Sequence, residues 1–135
     1  MSLVQSVKNQ AILVEKYVDL AASSGTTVGI SVPAGTLVLA VGFEANEAVP
    51  NVTTYTMDIT DGTTTFANDL DFDAAAKGTI KVGTTAGLVT AADTIDVVTT
   101  ISGSAGVISG RVFAVIVPVT KNADQASSAD REQLA

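Results

Sequence analysis

The stretch SVPAGTLVLAVGFEANEAV, residues 31–49, joins a turn to an almost unbroken apolar run. Pro33-Ala34-Gly35 is typical of a turn, and the run that follows alternates between larger and smaller side chains. Because successive residues of a strand point to opposite faces, we expect the larger side chains to fill a core and the smaller ones to let another layer approach. The larger set is Leu37, Leu39, Val41 and Phe43, and the smaller set is Val38, Ala40 and Gly42.

The rest of the chain also has the composition of a β protein. Val and Thr dominate, and both are β-branched residues that suit the half-buried surface of a sheet. Gly, Asp, Asn and Pro separate the apolar runs at intervals of roughly 8–12 residues, which is typical of a sandwich or a barrel. The sequence therefore predicts an all-β protein, folded as a single antiparallel β-sandwich or barrel.

Two further strands can be assigned an inward face from their alternation. The segment YTMDIT, residues 55–60, alternates strictly and ends at Asp61-Gly62, which supplies the positive φ that a tight hairpin turn needs. The segment TIDVVTTI, residues 94–101, follows the same period. The residues expected to point into the core from these strands are Tyr55, Met57, Ile59, Ile95 and Val97.

Three other segments complete the predicted sheets. Val107–Val119 is apolar on both faces after Arg111, so it should be a central strand, and Pro118 should mark the end of its pairing. Ala11–Leu20 is ambiguous, because its apolar residues fit the spacing of a strand and that of a helix. The segment TTAGLVTAAD, residues 84–93, is expected to be a polar-tipped connection.

The composition excludes several kinds of chemistry. The chain has neither Cys nor His, so disulfides, Ser-His-acid and Cys-His catalysis and His-containing metal sites are all ruled out. We therefore expect no enzymatic activity, no metal and no cofactor. The net charge of −7 disfavours nucleic acid as a partner. A hydrophobic fraction of 47% predicts a large apolar surface, and hence a homo-oligomer.

The sequence shows no sign of export or membrane insertion. Lys8, Glu15, Lys16 and Asp19 interrupt the apolar region that a signal peptide needs. Residues 20–43 are uncharged but contain many Ser, Thr and Gly residues as well as Pro33, so they are not expected to form a membrane helix. We expect a protein that is made in a cytoplasm and has no membrane partner.

Acidic residues are the main candidate ligands, and each has a simpler interpretation. Asp69, Asp71 and Asp73 alternate as calcium ligands can, but Ala74 and Ile80 stand where an EF-hand loop needs Gly and Glu. We interpret the three as the solvated face of a strand or loop. A glycosidase-like carboxylate pair is conceivable, although acidic residues at strand ends are ordinary for a soluble sandwich. The glycine-rich segments lack the Gly-Lys-Ser/Thr sequence of a phosphate loop.

Four segments together carry a likeness to a known family. They are ISVPAGTLVLAVGFEA (30–45), YTMDITDGTTTFANDLDFDAAAKGT (55–79), AADTIDVVTT (91–100) and GRVFAVIVPV (110–119). This succession resembles the capsid decoration, or cement, proteins of tailed bacteriophages, of the kind found on cyanophage heads. The resemblance implies a jelly-roll-like sandwich that assembles, often as a trimer, on the outside of an icosahedral virion and bridges neighbouring major capsid subunits.

The N-terminal residues are the candidate capsid contact. Ser2–Val14 is apolar yet irregular, so we expect an arm that binds the capsid; the alternative is that it forms an ordinary edge strand. From Lys121 the chain is polar and rich in Ala and Ser, which is typical of a loose tail. The expected organisation is an arm over residues 1–14, a sandwich over 15–120 and a flexible tail over 121–135. The apolar anchors expected in the arm are Leu3, Val4, Val7 and Ile12.

Three other functions stay open on the sequence. A tail, neck or fibre module that binds a host glycan or a partner protein would have a similar composition, although sugar sites usually stack on aromatic rings and only Tyr17 and Tyr55 are of the suitable type. A small hydrolase or lyase on a jelly roll is disfavoured by the missing His. A cellular adhesion or surface-layer module would require export.

Overall fold

The computed structural model describes residues 10–119, which form nine β-strands and no helix. All pairs of neighbouring strands are antiparallel. The prediction of an all-β fold is confirmed. The strands are β1 Ile12–Leu20, β2 Gly25–Val32, β3 Thr36–Ala45, β4 Tyr55–Thr60, β5 Thr65–Asp71, β6 Ile80–Gly83, β7 Gly87–Val89, β8 Asp93–Ile101 and β9 Ile108–Pro118.

The strand order is that of a jelly roll. The first sheet has the order β1-β9-β3-β6, with β7 also paired to β3, and the second sheet has the order β2-β8-β4-β5. The chain crosses repeatedly between the two sheets, so that one face of each sheet is buried against the other. This two-sheet Greek-key arrangement is characteristic of jelly rolls, and the expected jelly-roll-like sandwich is confirmed.

The strand β9 lies at the centre of the first sheet, as its apolar character on both faces predicts. It pairs with β1 on one side and with β3 on the other. The last pair of the β3–β9 ladder joins Thr36 to Pro118, as expected for a residue that has no amide hydrogen to donate. The ambiguous segment Ala11–Leu20 contains the strand β1, which lies at one edge of the first sheet. The connection expected at residues 84–93 contains the short strand β7.

A β-bulge in β3 changes which side chains enter the core. Val38 pairs with Ile116 and Ala40 with Val115, so Leu39 is an extra residue without a partner of its own. One extra residue moves every side chain beyond it to the opposite face. The expectation that Leu37 and Leu39 fill the core is therefore wrong: Leu37 is half-buried on the outer side, Leu39 is 37% exposed, and Val38 is fully buried in their place.

The other residues expected in the core lie there. Val41 and Phe43 are buried beyond the bulge, and the alternation of β4 and β8 places Tyr55, Met57, Ile59, Ile95 and Val97 between the sheets. The rings of Phe43 and Phe72 meet edge to face, with centroids 5.6 Å apart. The hairpin at Asp61-Gly62 also forms, because one Asp61 carboxylate oxygen accepts hydrogen bonds from the amides of Thr63 and Thr64, and Gly62 has a φ of 91°.

Tyr55 brings a polar hydroxyl group into this core. Its side chain is fully buried, and the hydroxyl has no hydrogen-bond partner among residues 10–119. A buried polar group without a partner is destabilising. Burial also raises the pKa of Tyr55 above its ordinary value of 10.0, because the anion is poorly solvated in the core.

The change Tyr55→Phe is therefore expected to leave stability unchanged or to raise it by up to about 1 kcal/mol at pH 8. The unfolded chain loses the tyrosine proton near pH 10, whereas the folded chain retains it. Wild-type stability should consequently fall as the pH rises above about 10, and the advantage of the variant should grow there. Urea unfolding of both proteins at pH 8 and at pH 10.5 measures this; a constant difference would contradict the buried, unpaired hydroxyl.

Candidate assembly surface

The described part of the chain offers no metal centre. Among residues 10–119, no group of three or more acidic side chains is close enough to hold an ion. The carboxylates of Asp71 and Asp73 instead accept backbone hydrogen bonds, from the amides of Asp73 and Val52 at 3.0 and 2.8 Å. The amide of Asp69 donates to the carboxylate of Asp58 at 2.7 Å. These aspartates organise loops and a strand end, which agrees with their interpretation as a solvated surface.

The same residues contain no helix that is long and apolar enough to span a membrane.

The first sheet has a large apolar patch on its outer face, although the outer face of an antiparallel sheet is usually polar. Its side chains come from all the strands of this sheet and lie on the face opposite the core. Several are far from buried: Leu13 is 59% exposed, Val82 is 56% exposed and Leu88 is 44% exposed. We call this surface the apolar face. Its residues are Leu13, Leu37, Ile80, Val82, Leu88, Phe113, Val115 and Val117.

The apolar face is flat where β3 crosses it. Ala40 and Gly42 are its β3 residues beyond the bulge, and the ring of Phe113 lies over Gly42, where a Cβ atom would overlap it. Of the small residues that the sequence assigned to close approach, Ala40 and Gly42 lie on this face, whereas Val38 lies in the core. The Phe113 ring fills the space above Gly42, so no β3 side chain projects from this part of the surface.

One charged cluster borders the apolar face, with a single guanidinium between two carboxylates. The guanidinium of Arg111 on β9 donates to Glu15 on β1 at 2.7 Å and to Glu44 on β3 at 3.1 Å. It also lies 4.8 Å from the centre of the Phe113 ring. The hydrogen bond to Glu15 is the main reason that the pKa of Arg111 is raised. The cluster links three adjacent strands and places no isolated cation on the face.

The outer face of the second sheet is different in character. Its outward positions on β4 and β8 are mainly Thr and Asp, including Thr56, Asp58, Asp96 and Thr100. Threonine and aspartate are common on a solvated strand surface. The two sides of the sandwich are therefore unequal, and the first sheet carries the surface suited to assembly.

Of the four residues expected to anchor the chain to a capsid, the structure describes Ile12. Leu3, Val4 and Val7 lie outside the described residues, as does the expected tail from residue 121. Ile12 is the first residue of β1, where it pairs with Ile116 and is 49% exposed. Residues 12–14 of the expected arm are thus part of an edge strand, which was the alternative interpretation, and the sandwich begins at Ile12.

The two tyrosines that could stack on a sugar have separate locations. Tyr55 is buried between the sheets, and Tyr17 is 67% exposed on the edge strand β1. A single exposed tyrosine gives a glycan site little aromatic surface.

The sequence signal for the apolar face was present but incomplete. The apolar character of β9 on both faces indicated a buried or covered strand. The other side chains of that face include Leu13, whose strand pairs with β9, and Val82 and Leu88, whose strands pair with β3. These three come from short or ambiguous segments. Their alignment with β9 follows from the sheet order, which the sequence does not contain.

Comparison with known proteins places the fold among viral capsid structures. No protein-family model matches the chain, and no curated protein matches it in sequence. A chain of the cyanophage Pam1 capsid asymmetric unit is similar in structure, with a TM-score of 0.62 and 17% identity over 79% of this chain and 84% of that chain. A chain of the acid-stable capsid of Helicobacter pylori bacteriophage KHP30 has a TM-score of 0.54 and 16% identity, over 82% of this chain and 94% of that chain. The protein thus has the same fold as chains found in two phage capsids.

Proposed function

We propose that this chain is a viral structural protein that decorates and cements the outside of a phage capsid by bridging major capsid subunits. The observation that carries the proposal is the shared fold with chains of two phage capsids, which spans most of each capsid chain. The likeness covers 84% and 94% of the two capsid chains, so it is not confined to one part of either.

Composition and surface chemistry support a structural role without catalysis. The chain has no His and no Cys, which removes the commonest catalytic bases and nucleophiles. A net charge of −7 suits the outer surface of a virion, away from packaged DNA, since phosphates repel acidic proteins. The apolar face gives the protein a surface for assembly. The partners we propose are the major capsid protein and further copies of the chain, in a trimer.

The proposal is tested by co-sedimentation with phage heads. The full chain is mixed with expanded, empty heads assembled from the major capsid protein encoded in the same genome. We expect saturable binding at a fixed number of copies per head, and heads that resist heating or force better after decoration. A chain that stays in the supernatant at every concentration would refute the decorating role, and a glycan array would then test the tail or fibre module.

The N-terminal residues 2–14 are the proposed capsid contact, and their apolar side chains should provide most of the affinity. Each buried aliphatic side chain contributes about 1.5–3 kcal/mol, so replacing three of them should weaken head binding more than about 100-fold. The melting temperature should be unchanged, because the replaced positions precede β1. The variant to be measured by co-sedimentation is Leu3→Ser/Val4→Ser/Val7→Ser.

A control variant tests whether the apolar side chains, and not any substitution in this segment, determine the affinity for heads. Polar positions of the same segment are changed in Ser2→Ala/Gln5→Ala/Ser6→Ala, which should bind heads as the wild type does. Full occupancy of heads by the apolar-to-serine variant would place the capsid contact elsewhere on the protein.

A further inference from the structure

We infer that the apolar face of the first sheet is buried by a second copy of this chain. This inference rests on the homo-oligomer in the proposed function and identifies the surface through which its copies meet. Sheets that pack in pairs bury one face each, and here the first sheet has apolar side chains on both. The inner face is covered by the second sheet, whereas nothing among residues 10–119 covers the outer one.

The size of the outer face of the first sheet, which contains the apolar face, suits contact between protein copies. The strand β9 has 11 residues, which at about 3.3 Å per residue is about 35 Å of length. Four strand positions at about 4.8 Å spacing add about 19 Å of width. The resulting area of about 700 Å² is that of the whole outer face, the apolar face together with the charged cluster at its border, and it is close to the roughly 800 Å² that each partner contributes to a stable protein interface. An apolar centre with a polar rim is the usual composition of such an interface.

The charges on the two outer faces favour the first sheet as the contact. Copies of a chain with a net charge of −7 repel one another, so a contact between copies is favoured at a surface without charged side chains. None of the eight residues of the apolar face is charged, and at its border the Arg111 guanidinium offsets one of the two carboxylates that it binds, those of Glu15 and Glu44. The outer face of the second sheet carries Asp58 and Asp96, and the described residues form no salt bridge there.

The topology keeps this surface compatible with capsid attachment. Ile12 at the start of β1 pairs with Ile116 near the end of β9, so the chain enters and leaves the sandwich at the same end of the first sheet. The N-terminal residues proposed to bind the capsid therefore start at the rim of the apolar face. A second copy that buries the face would also cover Leu13, which is within the proposed capsid contact, while the residues before β1 remain available for the capsid.

The inference is tested by light scattering of the full-length protein in the absence of phage heads. The variants Leu13→Glu and Val82→Glu each place a carboxylate on the apolar face, and burial of a charge without a partner is strongly unfavourable. We expect the wild type to have at least twice the 13.6 kDa mass of one chain. The dissociation constant of the oligomer should rise at least about 100-fold in each variant.

The control variant is Val28→Glu, because Val28 is as exposed as Val82, at 57% and 56% respectively, but belongs to β2 of the second sheet. It should retain the mass of the wild type. Both variants of the apolar face replace exposed side chains and should unfold cooperatively near the wild-type temperature. They lie on different strands, so either one decides the question if the other fails to fold.

Two results would overturn the inference. One is a wild type that is monomeric at all concentrations, including the case in which Val82→Glu abolishes head binding and thereby assigns the face to the capsid. The other is a folded Leu13→Glu or Val82→Glu variant that keeps the full oligomer mass. An oligomer that dissociates on these substitutions but never binds heads would support the inference and refute the decorating role, so the two failures are distinguishable.

Discussion

Replacement of Phe43 by alanine should lower the free energy of unfolding by about 4 kcal/mol, the cost of emptying a buried phenylalanine site. The ring is fully buried and meets Phe72 edge to face at 5.6 Å. It also rests on the backbone of Gly110, where a Cβ atom would overlap it. The site is thus bounded by a second ring and by main chain, neither of which can move far to fill the cavity. Denaturant unfolding at constant protein concentration measures the loss.

Leu39→Ala is the control for this experiment, and it tests the bulge directly. Leu39 lies four residues before Phe43 in β3, and uninterrupted alternation would place both side chains in the core. The bulge leaves Leu39 37% exposed, so its truncation should cost less than about 1 kcal/mol. Similar losses for the two variants would mean that β3 has no bulge and that Leu39 belongs to the core.

The change Gly29→Ala should destabilise the protein by about 3 kcal/mol, near the upper end of the usual cost of overpacking. Gly29 lies in the bulged part of β2, where the pairing with β8 shifts between Thr27 and Ile30. A Cβ atom there would overlap the carbonyl oxygen of Ile95. Because the obstacle is backbone rather than a flexible side chain, the methyl group can be accommodated only if β2 moves away from β8.

Gly25→Ala provides the matched control in the same strand. The nearest atom to a Cβ at Gly25 is the Ser23 carbonyl oxygen at 3.9 Å, an ordinary contact. The two variants change β propensity and unfolded-state entropy alike, so the difference between them isolates the steric overlap. Gly25→Ala should alter stability by about 0.5 kcal/mol or less. Equal effects of the two substitutions on chemical unfolding would contradict the close approach of β2 to β8.

The parts of the fold that alternation predicted are those where one strand carries its own pattern. Tyr55, Met57 and Ile59 follow a strict period of two, and β4 keeps them inward. Asp61-Gly62 specifies a turn through local chemistry, so the hairpin after β4 could be predicted. The bulge at Leu39 could not, because it depends on which β9 residue lies opposite each β3 residue.

The apolar face, like the fold, could be predicted from the sequence only in part. The residues of β9 could be recognised as apolar on both sides, and the apolar composition predicted an exposed patch. Which side chains join β9 on its outer face was not predictable, since β1, β3 and β6 are far apart in sequence. The candidate arm anchors Leu3, Val4 and Val7 stay a prediction from sequence.

By itself, the sequence determined that this protein is all-β and without His or Cys chemistry, because period-two alternation, β-branched residues and turn motifs act within a few residues of one another. Only the tertiary structure decided that Val38 replaces Leu39 in the core, and that one outer face is apolar while the other is polar. Those features arise from the register and order of strands that pair across the whole chain. The physical reason is that a strand's pattern defines two faces, but only its neighbours determine which face is buried and what the other becomes.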